Sequence, residues 1–204
     1  MRYSYIFRMP DGVRRPVRMD DAEFIVRLRN QPHAKGCIND TPVDVERQRE
    51  WLREYFKREN EYYWIAETLD GKRFGTVSLY NCDLEKRQIE TGRWVRMADA
   101  PQNNMIAWRV LERDFVFNVL GMERLVYDVV STNKPVLKLH RMCGAVESGT
   151  EKEKFEIQGK KVDLVWFEET KESFAKVRPR LCRLAGIPED RPYGTIEKVL
   201  ADQQ

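Results

Sequence analysis

The residue types that most often carry chemistry are sparse in this chain. It has two histidines, His33 and His140, and four cysteines, Cys37, Cys82, Cys143 and Cys182. The cysteines lie far apart with no CxxC pair, so a zinc site is not expected and reduced, cytosolic thiols are the default. Neither histidine has a partner at a spacing that suits a nucleophilic triad. What remains is a loop. Ala98-Asp99-Ala100-Pro101-Gln102-Asn103-Asn104 stands between a strand-like run, residues 88–97, and a helix-like run, residues 105–120. The first backbone N–H groups of a helix lack internal partners, and the helix dipole favours negative charge there. The pattern is that of an anion cradle, with phosphate or pyrophosphate as its natural guest. An ordinary strand-turn-helix crossover that binds nothing has the same signature.

Other elements must position this loop. Residues 3–8 and 13–17 read as short strands around the turn signal Asp11-Gly12. Asp20 and Asp21 sit where a helix N-cap belongs, and Pro32 closes that helix near Asn30. Asp44 caps a second helix reaching about residue 59, with Val45, Leu52, Tyr55 and Phe56 on its apolar side. Residues 62–67 and 74–80 form a hairpin across Asp70-Gly71. Beyond the 105–120 helix and its C-cap Gly121 comes a strand at 124–130. Asn133-Lys134-Pro135 then opens a helix ending at Cys143-Gly144, with Asn133 suited to its N-cap. A last hairpin joins residues 145–155 to 161–167, residues 171–185 read as a helix kinked at Pro179, and 195–202 suit a short final helix. Strands in runs with interposed helices imply a mixed sheet, hence an α+β or mixed α/β domain.

Composition bounds the rest. The 204 residues suit one domain with an appendage, and 42% hydrophobic content is enough for a sizeable core. The net charge of +3 is too small to argue for nucleic acid. No apolar run approaches the ~18 residues of a membrane span, and the N-terminus lacks the apolar core of a secretory signal. A cytoplasmic location is the expectation.

Several stretches, taken in order, resemble the GNAT superfamily of acetyl-coenzyme-A-dependent N-acetyltransferases over residues 13–167. Arg15-Pro16-Val17 with Asp20-Asp21-Ala22-Glu23 resembles the first strand and helix start, and Leu28-Arg29-Asn30 with Pro32 the end of that helix. Glu50-Trp51-Leu52 resembles the tryptophan-bearing second helix, and Glu90-Thr91-Gly92 the Glu-x-Gly of the fourth strand. Residues 115–121 resemble the end of the coenzyme-binding helix, and Asn133 through Leu139-His140 to Gly144 the Asn…Leu-Tyr…Gly helix. The nearest branch holds aminosugar, ribosomal-protein N-terminal and spermidine acetyltransferases. The resemblance implies a GNAT-like acetyltransferase domain at 1–167 with a C-terminal helical extension at 168–204. The extension is left open between an added layer, a homodimer contact and a partly mobile end.

It also implies acetyl transfer from acetyl-coenzyme A to the amine of a small acceptor. A protonated amine has no nucleophilic lone pair, so a base must take a proton, and the departing thiolate benefits from an acid. Glu90, matching the family's strand glutamate, is the candidate base. His140, where relatives carry tyrosine, is the candidate acid, since histidine titrates near neutrality. A strand salt bridge and a plain helix residue are their structural alternatives. Coenzyme contacts are expected from the Met97 backbone, the N–H groups of Gln102, Asn103, Asn104, Met105, Ile106 and Ala107, and the Asn133 side chain. Arg109 stands between a phosphate contact and a solvated helix residue. Trp51, Tyr62, Tyr63 and Trp64 are read as core or cleft walls. The family loop carries glycines that Pro101 to Ile106 lack. That departure leaves a non-catalytic binding or scaffold protein as a second reading. For the acceptor, a nucleotide-linked aminosugar comes first, a protein N-terminus or polyamine second. An acidic cleft would mark a polyamine enzyme, and aromatic and basic groups an aminosugar enzyme; Asp40, Asp44 and Glu46 keep the polyamine reading open.

Overall fold

The computed structural model describes residues 3–101 and 104–200. Its centre is a nine-stranded sheet of order β7-β8-β6-β5-β4-β3-β2-β1-β9. The strands are β1 Tyr3–Met9, β2 Gly12–Pro16, β3 Tyr62–Glu67, β4 Arg73–Asp83, β5 Gln88–Arg96, β6 Arg124–Val130, β7 Val146–Ile157, β8 Lys160–Thr170 and β9 Thr195–Leu200. Every pairing is antiparallel except β5 with β6. The helices are α1 Ala22–Arg29, α2 Val45–Tyr55, α3 Met105–Asp114, α4 Lys134–Met142 and α5 Lys171–Ala185.

The sheet is covered on both faces, which is why β3 reads as a continuous apolar run. Alternate residues of a strand face opposite sides. Trp64 joins a core with Trp108 and Leu111 of α3, Leu137 of α4 and Phe174 and Leu181 of α5. Tyr63 and Ile65 join a second core with Ile25 and Leu28 of α1 and Leu52 and Tyr55 of α2. Local capping follows the sequence: the Asp44 carboxylate accepts from Arg47 N–H at 3.0 Å, and Asn104 Oδ1 accepts from Ala107 N–H at 3.1 Å. Asp21 does more than begin a helix. It is fully buried, takes a bidentate pair from Arg15 at 2.8 and 2.9 Å and accepts from Arg18 N–H.

Three stretches differ from the sequence reading. The helix expected over 105–120 is α-helical only to Asp114. Phe115–Val119 then widens to a π turn, with Leu120 N–H donating to Phe115 C=O at 2.9 Å. The final helix expected over 195–202 is instead strand β9, because its backbone finds β1 across six paired residues. Strand β8 crosses the expected 167/168 boundary and β9 closes the sheet edge, so residues after 167 share the sheet with those before it. No helix of the described residues is long and apolar enough to cross a membrane.

Candidate functional site

Strands β5 and β6 pair at Gln88–Arg124, Ile89–Leu125 and Glu90–Val126, and then part. The cause lies on the other side of β5. Its register with β4 shifts between Thr76 and Ser78, and Arg93 bulges with φ of 52°. A bulge bends its strand. Thr76 Oγ1 donates to Arg93 C=O at 2.7 Å and Ser78 Oγ to Gly92 C=O at 3.3 Å, pinning the bend. Meanwhile β6 stays paired to β8 along its whole length. The gap that opens is a slot of about 380 Å³. Its walls include Thr91 and Gly92 of β5 and Tyr127 and Asp128 of β6. Because strand neighbours face opposite sides, the slot passes through the sheet from the α3 side to the α1 side.

The α3 side of the slot is a buried ionic cluster. Arg14 donates to Glu112 at 2.6 Å, Arg113 to Glu112 at 2.8 Å and to Glu169 at 3.1 Å, and Arg109 pairs with Glu169 as well. All five are at least 93% buried, their exposures running from 2% to 7%. Burial alone would raise the Glu169 carboxyl, but the Arg113 and Arg109 guanidiniums outweigh it and hold it down at about 2. Arg109 Nη2 donates to the Tyr127 hydroxyl at 3.0 Å, and that hydroxyl donates to Glu169 at 2.7 Å. Arg109 Nη1 lies 3.0 Å from His140 Nδ1. A guanidinium only donates, so Nδ1 is the acceptor and the imidazole proton sits on Nε2. Burial, then the charges of Arg109 and Arg113, push the His140 pKa down to about 2.

The α1 side is less tightly paired. The Tyr80 hydroxyl bonds Glu90, whose carboxylate also accepts from Asn81 Nδ2 at 2.8 Å. Tyr80 lies across Gly92, where a Cβ would overlap its hydroxyl, so this position admits only glycine while the ring stays in place. Asp128 is half-buried in the slot wall with its carboxyl pushed up to about 6, by burial first and then by the Glu90 charge. Adjoining the slot is a cleft of about 330 Å³ walled by Arg29, Arg47, Trp51, Tyr63 and Arg93, with Asp40 and Asp44. Arg93 stacks over Tyr80 at 4.3 Å and Trp51 at 5.0 Å, and pairs with Glu61 at 2.6 Å. Arg29 and Arg93 line both the slot and the cleft. Arg29 donates to Thr41 Oγ1 at 2.7 Å and to Asn39 Oδ1, and among the described residues it has no carboxylate in salt-bridge reach.

Residues 13–146 match the acetyltransferase (GNAT) domain family. The chain belongs to that family. As a GNAT protein it is an N-acetyltransferase. Among solved structures, apo FdhC, a nucleotide-linked sugar GNAT, is 25% identical with a TM-score of 0.71, covering 89% of this chain and 98% of its own. A mutant of the spermidine N-acetyltransferase SpeG from Vibrio cholerae is 17% identical with a TM-score of 0.67, covering 85% and 96%; that likeness is one of fold. No curated protein matched the chain.

Within this GNAT frame the expected site residues separate. His140, Asn133 and Met105 line the slot. Glu90 stands at the point where β5 and β6 part, but its carboxylate is engaged by Tyr80 and Asn81. Arg109 is not a solvated helix residue; it is buried and tied into the ionic cluster. Met97 N–H donates to Phe74 C=O at 2.7 Å, so it extends the β4–β5 ladder and is not free for a ligand. The Asn104 N–H donates to Asp11 at 2.7 Å and the Ala107 N–H to Asn104 Oδ1 at 3.1 Å, which takes both from the expected amide cradle. Ile106 lies on α3 beside them, packed against the core. Gln102 and Asn103 lie outside the described residues. Arg96, unmarked in the sequence, donates to Pro101 C=O at 2.8 Å and to Met105 Sδ. Like Arg29, it has no carboxylate in salt-bridge reach among the described residues. Asp128, Tyr80 and Glu169 were also missed. An acid amid the apolar run Leu125-Val126-Tyr127-Asp128-Val129-Val130 was the available signal.

Proposed function

We propose that this N-acetyltransferase uses acetyl-coenzyme A to acetylate the amine of a nucleotide-linked amino sugar. The observation that carries the acceptor class is Arg29. Its guanidinium is half-buried where slot and cleft meet, with only neutral hydrogen-bond partners among the described residues. Burial, with the nearby Arg93 charge, destabilises its cationic form. An anion placed there recovers that cost, and a diphosphate suits a planar guanidinium. The cleft acids do not offset this. Asp44 is spent on the α2 N-cap and Asp40 accepts from Gln158 N–H at 3.0 Å. Glu46 pairs with Arg49 and Arg53 away from the cleft wall. A polycation would meet Arg29 and Arg47 on entering, neither of them ion-paired among the described residues. Trp51 and Tyr63 offer faces for a sugar or base. The likeness to FdhC supports the same class.

The residues fit a coenzyme thioester at the slot. Asn133 and Met105 line it, and the uncompensated Arg96 at the loop mouth suits a phosphate. Bound acetyl-coenzyme A supplies the activated acetyl group. His140 serves as a neutral Nε2–H donor and not as an imidazolium acid, because its pKa of about 2 keeps it neutral. Arg109 fixes that tautomer through Nδ1.

Calorimetric titration tests the reading. Acetyl-coenzyme A is expected to bind at micromolar Kd, about −8 kcal/mol. UDP, as a nucleoside diphosphate probe, is expected to bind more tightly than spermidine and to weaken in Arg29→Gln while the coenzyme is unaffected. Absence of coenzyme binding, or spermidine binding above UDP, contradicts it.

A further inference from the structure

We propose that Asp128 of β6 is the group that takes the proton from the acceptor amine. The inference deepens the reading above and rests on amine acetylation at this slot. Two acids line the slot, Glu112 and Asp128. Glu112 is clamped by Arg14 and Arg113 at 2.6 and 2.8 Å. Burial works to raise its carboxyl, but those two guanidiniums outweigh it and hold it below the ordinary range, which makes it a weak base. Asp128 has no cation in salt-bridge reach among the described residues, and its half-buried carboxyl faces open space.

Its surroundings explain its poise. Glu90 of β5 pairs with Val126, two residues before Asp128 on β6 and therefore on the same face. Glu151 of β7 adds negative charge but is itself bonded to Lys154 and to Trp166 Nε1. Tyr80 of β4 is tied to Glu90, and Arg93 to Glu61. Glu90 therefore acts through Asp128. Burial first, and then the Glu90 charge, holds the Asp128 carboxyl at about 6, close to the value that serves a base near neutral pH. Glu90 is a positioning residue.

The step balances. The ammonium gives one proton to an Asp128 oxygen and so exposes its lone pair. The N–C bond forms as the C–S bond breaks, the second amine proton ends on the thiolate, and Asp128 returns its proton to water.

The test compares Asp128→Asn and Glu90→Gln with the wild type across pH, using acetyl-coenzyme A with a nucleotide-linked amino sugar, the free amino sugar and spermidine. Asp128→Asn is expected to lose about 10²–10⁴-fold in kcat, with acceptor KM little changed and the acid limb of the profile gone. Glu90→Gln is expected to retain most of the rate and move that limb to lower pH, a shift that a merely structural role would not produce. Carboxyl ¹³C NMR of Asp128, assigned by the signal missing in Asp128→Asn, reads the same titration without any acceptor. It is expected near pH 6 in the wild type and lower in Glu90→Gln. Wild-type rates in Asp128→Asn, or an Asp128 titration near the ordinary ~3.9, overturns the proposal. Should the wild type acetylate none of the three acceptors, the acceptor reading fails, and the NMR titration still decides Asp128.

Discussion

The two walls of the slot carry comparable sets of ionisable side chains and use them in opposite ways. On the α3 side, Arg14, Arg109 and Arg113 are locked onto Glu112 and Glu169 and almost wholly buried. On the α1 side, Asp128, Arg29 and Arg93 border open space, and the first two have no ion-pair partner among the described residues. The first set fixes a shape: its charges are held by one another. The second set is held by the backbone bulge at Arg93 and by neighbours such as Tyr80, which leaves Asp128 and Arg29 available to a ligand.

Substitutions should break this contrast in a fixed order of size. Glu169→Ala strands Arg109 in the interior, leaves Arg113 with Glu112 alone, and is expected to cost about 3–5 kcal/mol in chemical denaturation. Asp128→Asn at pH 7 is expected to be no less stable than wild type, because it removes a charge that burial disfavours. Equal losses would erase the distinction between the walls. Gly92→Ala pushes a Cβ into the Tyr80 hydroxyl and is expected to cost about 1–3 kcal/mol. Adding Tyr80→Phe should recover part of the stability, because it removes the overlapping hydroxyl.

Acid unfolding sharpens the contrast further. The folded His140 pKa, about 2, lies below its ordinary 6.5, so the unfolded chain takes up the extra proton. Its contribution is present above pH 6.5 and is lost as pH falls, by about 1.4 kcal/mol per pH unit. The folded Asp128 pKa, about 6, lies above its ordinary 3.8, so the native state holds the extra proton. Its contribution is full below pH 3.8 and is lost as pH rises to 6. Between pH 4 and 6 the two slopes oppose. Relative to wild type, His140→Gln should therefore flatten the acid loss and Asp128→Asn should steepen it, read by urea midpoints at each pH. The smallest effect on stability belongs to Arg29→Gln, within about 0.5 kcal/mol. Its effect falls on nucleoside diphosphate affinity, expected to drop about 10–100-fold.

The order of elements could be read from the chain because it rests on local signals: Asp44 as a cap, Asp70-Gly71 as a turn, the aromatic, apolar run of β3. So could the frame of the site, since Gly92, Asn133 and His140 sit at fixed places on their elements. What could not be read depends on contacts distant in sequence. Thr195–Leu200 carries a pattern compatible with either element, and only β1, some 190 residues earlier, makes it a strand. Arg109 looks like any exposed helical arginine until Glu169, 60 residues on, is brought beneath it. His140 looks like an acid until Arg109 and burial remove its proton. Asp128 stands out in the sequence only as an acid in an apolar run, and it gains a site only because β5 turns away from β6 after Glu90.

The most direct measurement is kcat/KM for thiol release from acetyl-coenzyme A with three acceptors in parallel: a nucleotide-linked amino sugar, the same sugar without the nucleotide, and spermidine. The account predicts that the nucleotide-linked sugar is preferred over both by at least about tenfold, the worth of one charge-assisted contact at Arg29. Spermidine matching or exceeding it, or the free sugar equalling it, would contradict the account.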